Sequence, residues 1–170
     1  MIIKQSKLAE ADKFIRILTY QHGLIDAIAK GSRRLTSRKS PHLDQLNLIK
    51  FQLARGKSPQ YLIQVETIES FSRIKDNFKL TRTCFYLLEI LNLILPSFQP
   101  DPTLFSSFKN YLLALNQESA SNRKLNIDFQ LYLINHLGFP PPPGSRPDQL
   151  IEYFESLLDR RLSSTRIKMG

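Results

Sequence analysis

The residues with the most evident chemistry lie in one ten-residue run. Lys30, Arg33, Arg34, Arg38 and Lys39 fall there beside Gly31, Ser32, Thr36 and Ser37, with no acidic side chain among them. Small and hydroxylic residues let a backbone come close to phosphate oxygens, and guanidinium groups offer those oxygens paired N–H donors. The run has the make-up of a phosphate cradle; a solvated charged loop is the bland reading of the same residues. If most of its cations met a phosphate each, binding to a nucleic acid would fall with salt on a logarithmic slope of about −3 to −5.

Other chemistries find little support. Glu10 with Asp12, and Glu66 with Glu69, are carboxylate pairs that a metal or an acid/base step would use, but loop-capping acids and solvent-facing strand residues explain them more simply. Cys84 is the only cysteine, so a disulfide framework and a multi-cysteine zinc site are excluded, and its apolar surroundings suit a buried small hydrophobe better than a nucleophile. His22, His42 and His136 lack the spacing of a helical metal motif. There is no phosphate-binding glycine loop, no nucleophile elbow and no His-Glu-x-x-His. The expectation is a protein that is not an enzyme and needs no cofactor.

The charge around the run is lopsided. Of 170 residues, 24 are Lys or Arg and 15 Asp or Glu, net +9. Residues 1–80 carry 15 basic and 7 acidic side chains, whereas residues 81–170 carry 9 and 8. A polyanion-binding surface is therefore expected in the first half, and it favours the nucleic-acid reading of the basic run.

Periodicity changes at the same place. Met1 to Lys4, Phe14 to Tyr20, Leu24 to Ala29, Leu46 to Ala54 and Tyr61 to Glu69 read as strands, the second and third joined through Gln21, His22 and Gly23, the last two by a turn from Arg55 to Pro59. About five strands in some 70 residues suggest an OB-like barrel, since closure hides exposed edges. Such a barrel would position the basic run between two strands. Phe14, Tyr20, Phe51 and Tyr61 are its aromatic candidates for stacking on bases; Tyr20 and Tyr61, near strand ends, are the two expected to be exposed.

Beyond it the pattern is helical. Thr81 to Leu95 is apolar nearly all round and should be a central helix, ended by Pro96. Asp101 and Pro102 open another, with Leu104, Phe105, Phe108, Tyr111, Leu112 and Leu115 on one face. Leu125, Phe129, Leu133 and Leu137 mark a third, with Gly138 past its end. A proline-rich connector, residues 140–147, leads to Leu150, Ile151, Phe154, Leu157 and Leu158 on a final helical face. The expected architecture is α+β, an OB-like nucleic-acid-binding barrel over residues 1–72 and an α-helical domain over 73–170. The longest apolar region, Phe85 to Leu95, is broken by Glu89 and Asn92, so no membrane span and a cytoplasmic location are expected.

Glu10, Asp12, Leu18, Thr19, His22, Gly23, Ala29, Lys30, Gly31, Arg33, Arg34, Ser37 and Arg38 resemble the amino-terminal barrel of the RecO family of bacterial recombination mediators. Further on, Glu66 and Phe71, then Tyr86, Leu88 and Glu89, then Asp101, Pro102, Leu104 and Phe105, then Leu137, Gly138, Phe139 and Pro140, follow the order of that family's helical domain. Arg161, Leu162, Ser163, Ser164 and Arg166 are similar to its closing motif. The resemblance covers nearly the whole chain. It departs in one respect: many members carry a four-cysteine zinc module where residues 140–147 stand here, and this chain has no cysteines for one.

The resemblance implies a protein that binds single- and double-stranded DNA, anneals complementary strands and, with RecR, assists RecA loading onto DNA coated by single-stranded DNA-binding protein. It implies nucleoid association during repair. It places DNA on the barrel, at Lys30, Arg33, Arg34, Arg38 and, within the same run, Lys39. It places the acidic, apolar tail of the single-strand-binding protein on the helical domain, where Arg82, Arg123 or Lys124 could supply the cation. Two other readings stay open on charge and fold alone: a protein-interaction adaptor, and an RNA-binding OB protein.

Overall fold

Alternating apolar residues decide the first elements. A computed structural model of the chain describes residues 1–54, 59–117, 123–140 and 149–164, and within these five strands form one sheet. They are β1 (Ile2–Lys7), β2 (Lys13–Thr19), β3 (Gly23–Ala29), β4 (Leu48–Leu53) and β5 (Gln60–Glu69), in the order β1-β2-β3-β5-β4. Strands β1, β2 and β3 are an antiparallel meander, β4 and β5 an antiparallel pair, and β3 meets β5 in parallel only at Ala27↔Gln60 and Ile28↔Tyr61.

Side chains two apart share a face of a strand. Ile15 and Ile17 of β2 and Ile25 and Ala29 of β3 therefore point into one core with Ile2, Leu43, Ile49 and Leu62, and Phe51, Leu53 and Val65 pack against it. Each fully buried Ile or Leu contributes roughly 1.5–3 kcal/mol. Arg16 and Asp26, opposite each other in the β2–β3 register, occupy the other face in a two-pronged ion pair at 2.6 and 2.7 Å. The hydrogen bond to Asp26 raises the Arg16 pKa further.

The sheet follows the OB-like order but does not close, which corrects the expected full barrel. No ladder joins β4 to β1. Instead the backbone just before β4 pairs with β1 at one residue: the Ile2 N–H donates to the Asn47 carbonyl and the Leu46 N–H to the Ile2 carbonyl, both at 3.0 Å. Two irregularities limit the seam to that point. The β1 register shifts between Ile2 and Lys4, and Leu46, buried with φ 73°, turns the chain just before β4. The turn is also why β4 starts at Leu48 rather than Leu46. The Arg55 to Pro59 turn lies outside the described residues except for Pro59.

The β2–β3 hairpin turns as its glycine predicts. Gly23 has φ +66°, and Thr19 staples the turn, its hydroxyl donating to the Gly23 carbonyl (2.9 Å) and accepting from the His22 N–H (3.0 Å). A second constraint on Gly23 was not legible from the hairpin: a Cβ there would stand 2.1 Å from the Gln99 carbonyl oxygen. Gln99 belongs to a segment that runs alongside β3, bridging Leu24 to Ser97, with the Phe98 N–H on the Leu24 carbonyl at 3.0 Å.

The chain divides into two compact units. The first is Met1–Phe71 with Leu95–Asp101, the second Ser72–Ile94 with Pro102–Gly170. Helices α1 (Ser72–Lys75), α2 (Phe78–Ile94), α3 (Pro102–Gln117), α4 (Arg123–His136) and α5 (Leu150–Leu157) belong to the second. As expected for a central helix, α2 buries residues around much of its circumference: Cys84, Tyr86, Leu87, Leu88, Ile90 and Leu91. It begins three residues earlier than its apolar pattern, because the Asn77 side chain accepts the N–H groups of Lys79 and Leu80 at 3.0 and 3.2 Å and so caps the helix.

The apolar face of α3 is the expected one, with Leu104, Phe108, Tyr111, Leu112 and Leu115 buried. Phe108, Tyr111, Phe129 and Tyr132 make an aromatic cluster with α4, and Tyr111 and Phe129 stack with centroids 4.4 Å apart. After α4, Gly138 (φ +82°) donates to the Asn135 carbonyl and Phe139 to the Ile134 carbonyl, the paired bonds of a glycine-closed helix end. Tyr86 meets Phe154 of α5 edge-on. The closing motif folds onto α2: Glu89 accepts the N–H groups of Ser163 (2.9 Å) and Ser164 (2.8 Å) and the Ser164 hydroxyl (2.7 Å). Residues 141–148, most of the proline-rich connector, and Arg166 lie outside the described residues.

Candidate nucleic-acid interface

The basic loop leaves the end of β3 and is built from its base upward. Gly31, at φ +65°, turns its N–H onto the Asp12 carboxylate at 2.8 Å. Asp12 is thus a loop-capping acid. Ser32 is buried, its hydroxyl donating to the Ala29 carbonyl at 2.8 Å. The Arg33 backbone N–H donates to Ala11 and its Nη1 to the carbonyls of Ala9 (2.8 Å) and Glu10 (2.7 Å), which ties the loop to the β1–β2 connection. On the other side Lys39 reaches the Leu62 carbonyl of β5 at 2.8 Å, and His42 Nδ1 accepts the Thr67 N–H at 3.2 Å.

These bonds sort the five cations. Arg33 and Lys39 have donors committed to backbone carbonyls. The Lys30 ammonium sits 4.5 Å above the centroid of the Tyr61 ring, a cation–π contact. The side chains of Arg34 and Arg38 are exposed and make no hydrogen bond or ion pair among the described residues; that of Arg34 lies over Gly31. The full set is therefore not five equivalent phosphate donors. Two hold the loop in shape, one covers an aromatic face, and two point their whole donor fork at solvent.

The aromatic candidates separate in the same way. Tyr20 is 51% exposed at the β2–β3 turn. Tyr61 is half-buried, with the Lys30 ammonium over one face of its ring. Phe51 belongs to the core boundary. Sequence reasoning passed over Leu35, the only apolar residue between Lys30 and Lys39, which is fully exposed. That isolation was the signal available, and counting charges does not register it.

The other groups weighed for chemistry are structural. Burial pushes the Cys84 thiol up to about 12, far from a thiolate nucleophile. Glu69 accepts the Phe71 N–H at 2.9 Å, and Glu66 faces Lys50 across the β4–β5 register. Among the described residues no three His, Cys, Asp or Glu side chains gather closely enough to hold a metal ion. Arg82, Arg123 and Lys124 are exposed on the helical unit, Arg82 in α2 and the other two at the start of α4.

A five-stranded sheet in OB-like order, carrying a pinned basic loop with uncommitted arginine side chains and followed by a helical unit, defines the class as an α+β protein with a cationic loop on an OB-like sheet. Comparison with known proteins narrows this. Residues 1–71 match the family described as recombination protein O, N-terminal, and residues 77–142 its C-terminal counterpart. The chain belongs to the RecO family. It is similar to the DNA repair protein RecO of Dehalococcoides mccartyi, 32% identical over 141 residues that make up 83% of this chain and 55% of that protein. It is also similar to those of Symbiobacterium thermophilum (27%, covering 83% and 56%) and Cutibacterium acnes (27%, covering 83% and 60%). The chain spans little more than half the length of these relatives. No described helix is long and apolar enough to cross a membrane.

Proposed function

We propose that this protein acts in DNA repair and recombination as a non-catalytic DNA-binding mediator. The observation that carries the reading is the pair Arg34 and Arg38, exposed and uncommitted on a loop whose base is fixed by Asp12, Ser32 and Arg33. A fixed loop presents guanidinium forks to phosphates without first having to be ordered, which favours binding. By neutralising phosphates it lowers the repulsion between two single strands and so promotes their annealing. Both single- and double-stranded DNA are substrates of such a surface, because phosphate contacts carry no sequence information.

Family membership extends the proposal to partners. In it the protein works with RecR to help RecA onto DNA coated by single-stranded DNA-binding protein, whose tail docks on the helical unit. It does so in the cytoplasm, on the nucleoid during repair. The test is a titration of fluorescent single-stranded DNA, duplex DNA and RNA at two salt concentrations, followed by an annealing assay. Salt-sensitive binding to both DNA forms with accelerated annealing is the expected result. Binding to RNA alone, or to an acidic peptide and neither DNA, would replace this reading with an RNA-binding protein or an adaptor.

A further inference from the structure

A single exposed leucine is ordinary on a protein surface; the setting of Leu35 is not. The Ser37 N–H donates to the Arg34 carbonyl at 2.9 Å, closing a four-residue turn whose two central positions are Leu35 and Thr36. Central residues stand at the apex of such a turn. The apex is held from below by the bonds of Gly31 to Asp12, Ser32 to Ala29 and Arg33 to the carbonyls of Ala9 and Glu10. Backbone geometry thus sets an apolar side chain at the tip of a pinned loop, at 107% of reference exposure. The side chains of the flanking Arg34 and Arg38 are exposed and uncommitted among the described residues.

An apolar tip between cationic shoulders complements a partner that offers apolar surface flanked by anions. DNA has this pattern, with base faces between phosphates, and apolar side chains enter base steps by partly unstacking them. We infer that Leu35 is a wedge that inserts between adjacent bases while Arg34 and Arg38 hold the neighbouring phosphates. The inference rests on the DNA-binding reading and adds to it a residue that acts on the bases. Its natural ligand is DNA whose steps open readily, a single strand or a weakly stacked duplex. An unstacked base presents its pairing edge to an incoming strand, which links the wedge to annealing.

The test uses oligonucleotides, single-stranded and duplex, carrying one 2-aminopurine, whose fluorescence rises when it leaves the stack. At saturation the unaltered protein raises the signal. Leu35→Ala should bind within about tenfold of it and lose most of the rise, while Leu35→Phe keeps the rise. Arg34→Ala with Arg38→Ala should weaken binding itself. A full rise at saturation with Leu35→Ala would overturn the wedge while leaving DNA binding intact. So would binding to phosphatidylserine vesicles that depends on Leu35 when the DNA signal does not. Failure of the unaltered protein to bind either oligonucleotide would remove the DNA-binding reading itself.

Discussion

Arg33 and the pair Arg34 and Arg38 adjoin in sequence, yet their hydrogen bonds predict opposite phenotypes. The Arg33 guanidinium is bound to the carbonyls of Ala9 and Glu10, whereas the guanidinium groups of Arg34 and Arg38 have no partner among the described residues. Binding to single-stranded DNA depends on salt with a logarithmic slope of about −0.7 per phosphate contact, and to duplex about −0.9. Replacing both Arg34 and Arg38 with alanine removes two contacts, so the slope should flatten by about 1.4 on single strands and 1.8 on duplex. Between about 50 and 200 mM salt the unaltered protein would then lose roughly sevenfold more affinity than the double variant on single strands, and roughly twelvefold more on duplex. Fluorescence anisotropy titrations across that range measure this directly. Arg33→Ala should leave the slope unchanged and instead lower stability by about 1 kcal/mol, because charge-assisted bonds to two carbonyls are lost at an exposed site. Urea unfolding reads that loss. An unchanged slope in the double variant, or an equally flattened slope in Arg33→Ala with its stability intact, would refute the division of labour.

Two further outcomes follow from the fold. Gly23→Ala places a Cβ 2.1 Å from the Gln99 carbonyl oxygen at a φ of +66°, so it should destabilise the first unit by about 2–3 kcal/mol, seen as a lower urea midpoint; a neutral effect would mean that the 95–101 segment does not pack there. For Glu89, burial opposes the charged form, but the hydrogen bonds from Ser163 and Ser164 outweigh it and hold the carboxyl below its ordinary value of 4.5. A depressed acid pKa contributes stability that is fully present above that ordinary value and is lost as the pH falls through the folded one. The unfolding midpoints of the unaltered protein and Glu89→Gln should therefore differ near neutral pH and converge on acidification, and a gap that does not change with pH would count against the carboxylate's role.

Much of the fold was legible where one local rule governs. The hairpin at Gly23, the apolar faces of α3 and α4 and the glycine-closed end of α4 all came from short-range spacing. The rest depends on partners distant in the chain. The early start of α2 needs Asn77 as a cap, which apolar periodicity does not count, and four-residue α1 is too short to show a period. Closure of the sheet fails at Leu46 and Ile2, residues that any apolar pattern scores as strand. The basic loop was visible as charge, but the acceptors that occupy Arg33 and Lys39 come from residues 9–10 and 62. No reading of residues 30–39 alone separates tied cations from untied ones.

The return of Leu95–Asp101 to the first unit also bears on how the protein emerges from a ribosome. Its five strands are all synthesised by Glu69, but the segment that bridges Leu24 and fills the niche at Gly23 arrives only after α2 has been made. The first unit therefore cannot reach its final form before residue 101 is free, and domain-by-domain folding during synthesis is interrupted here by two helices of the other unit. A gene fragment cut after β5 would express an unfinished sheet. One that continues through Asp101 supplies the missing segment at the expense of carrying α1 and α2 without the helices they normally accompany.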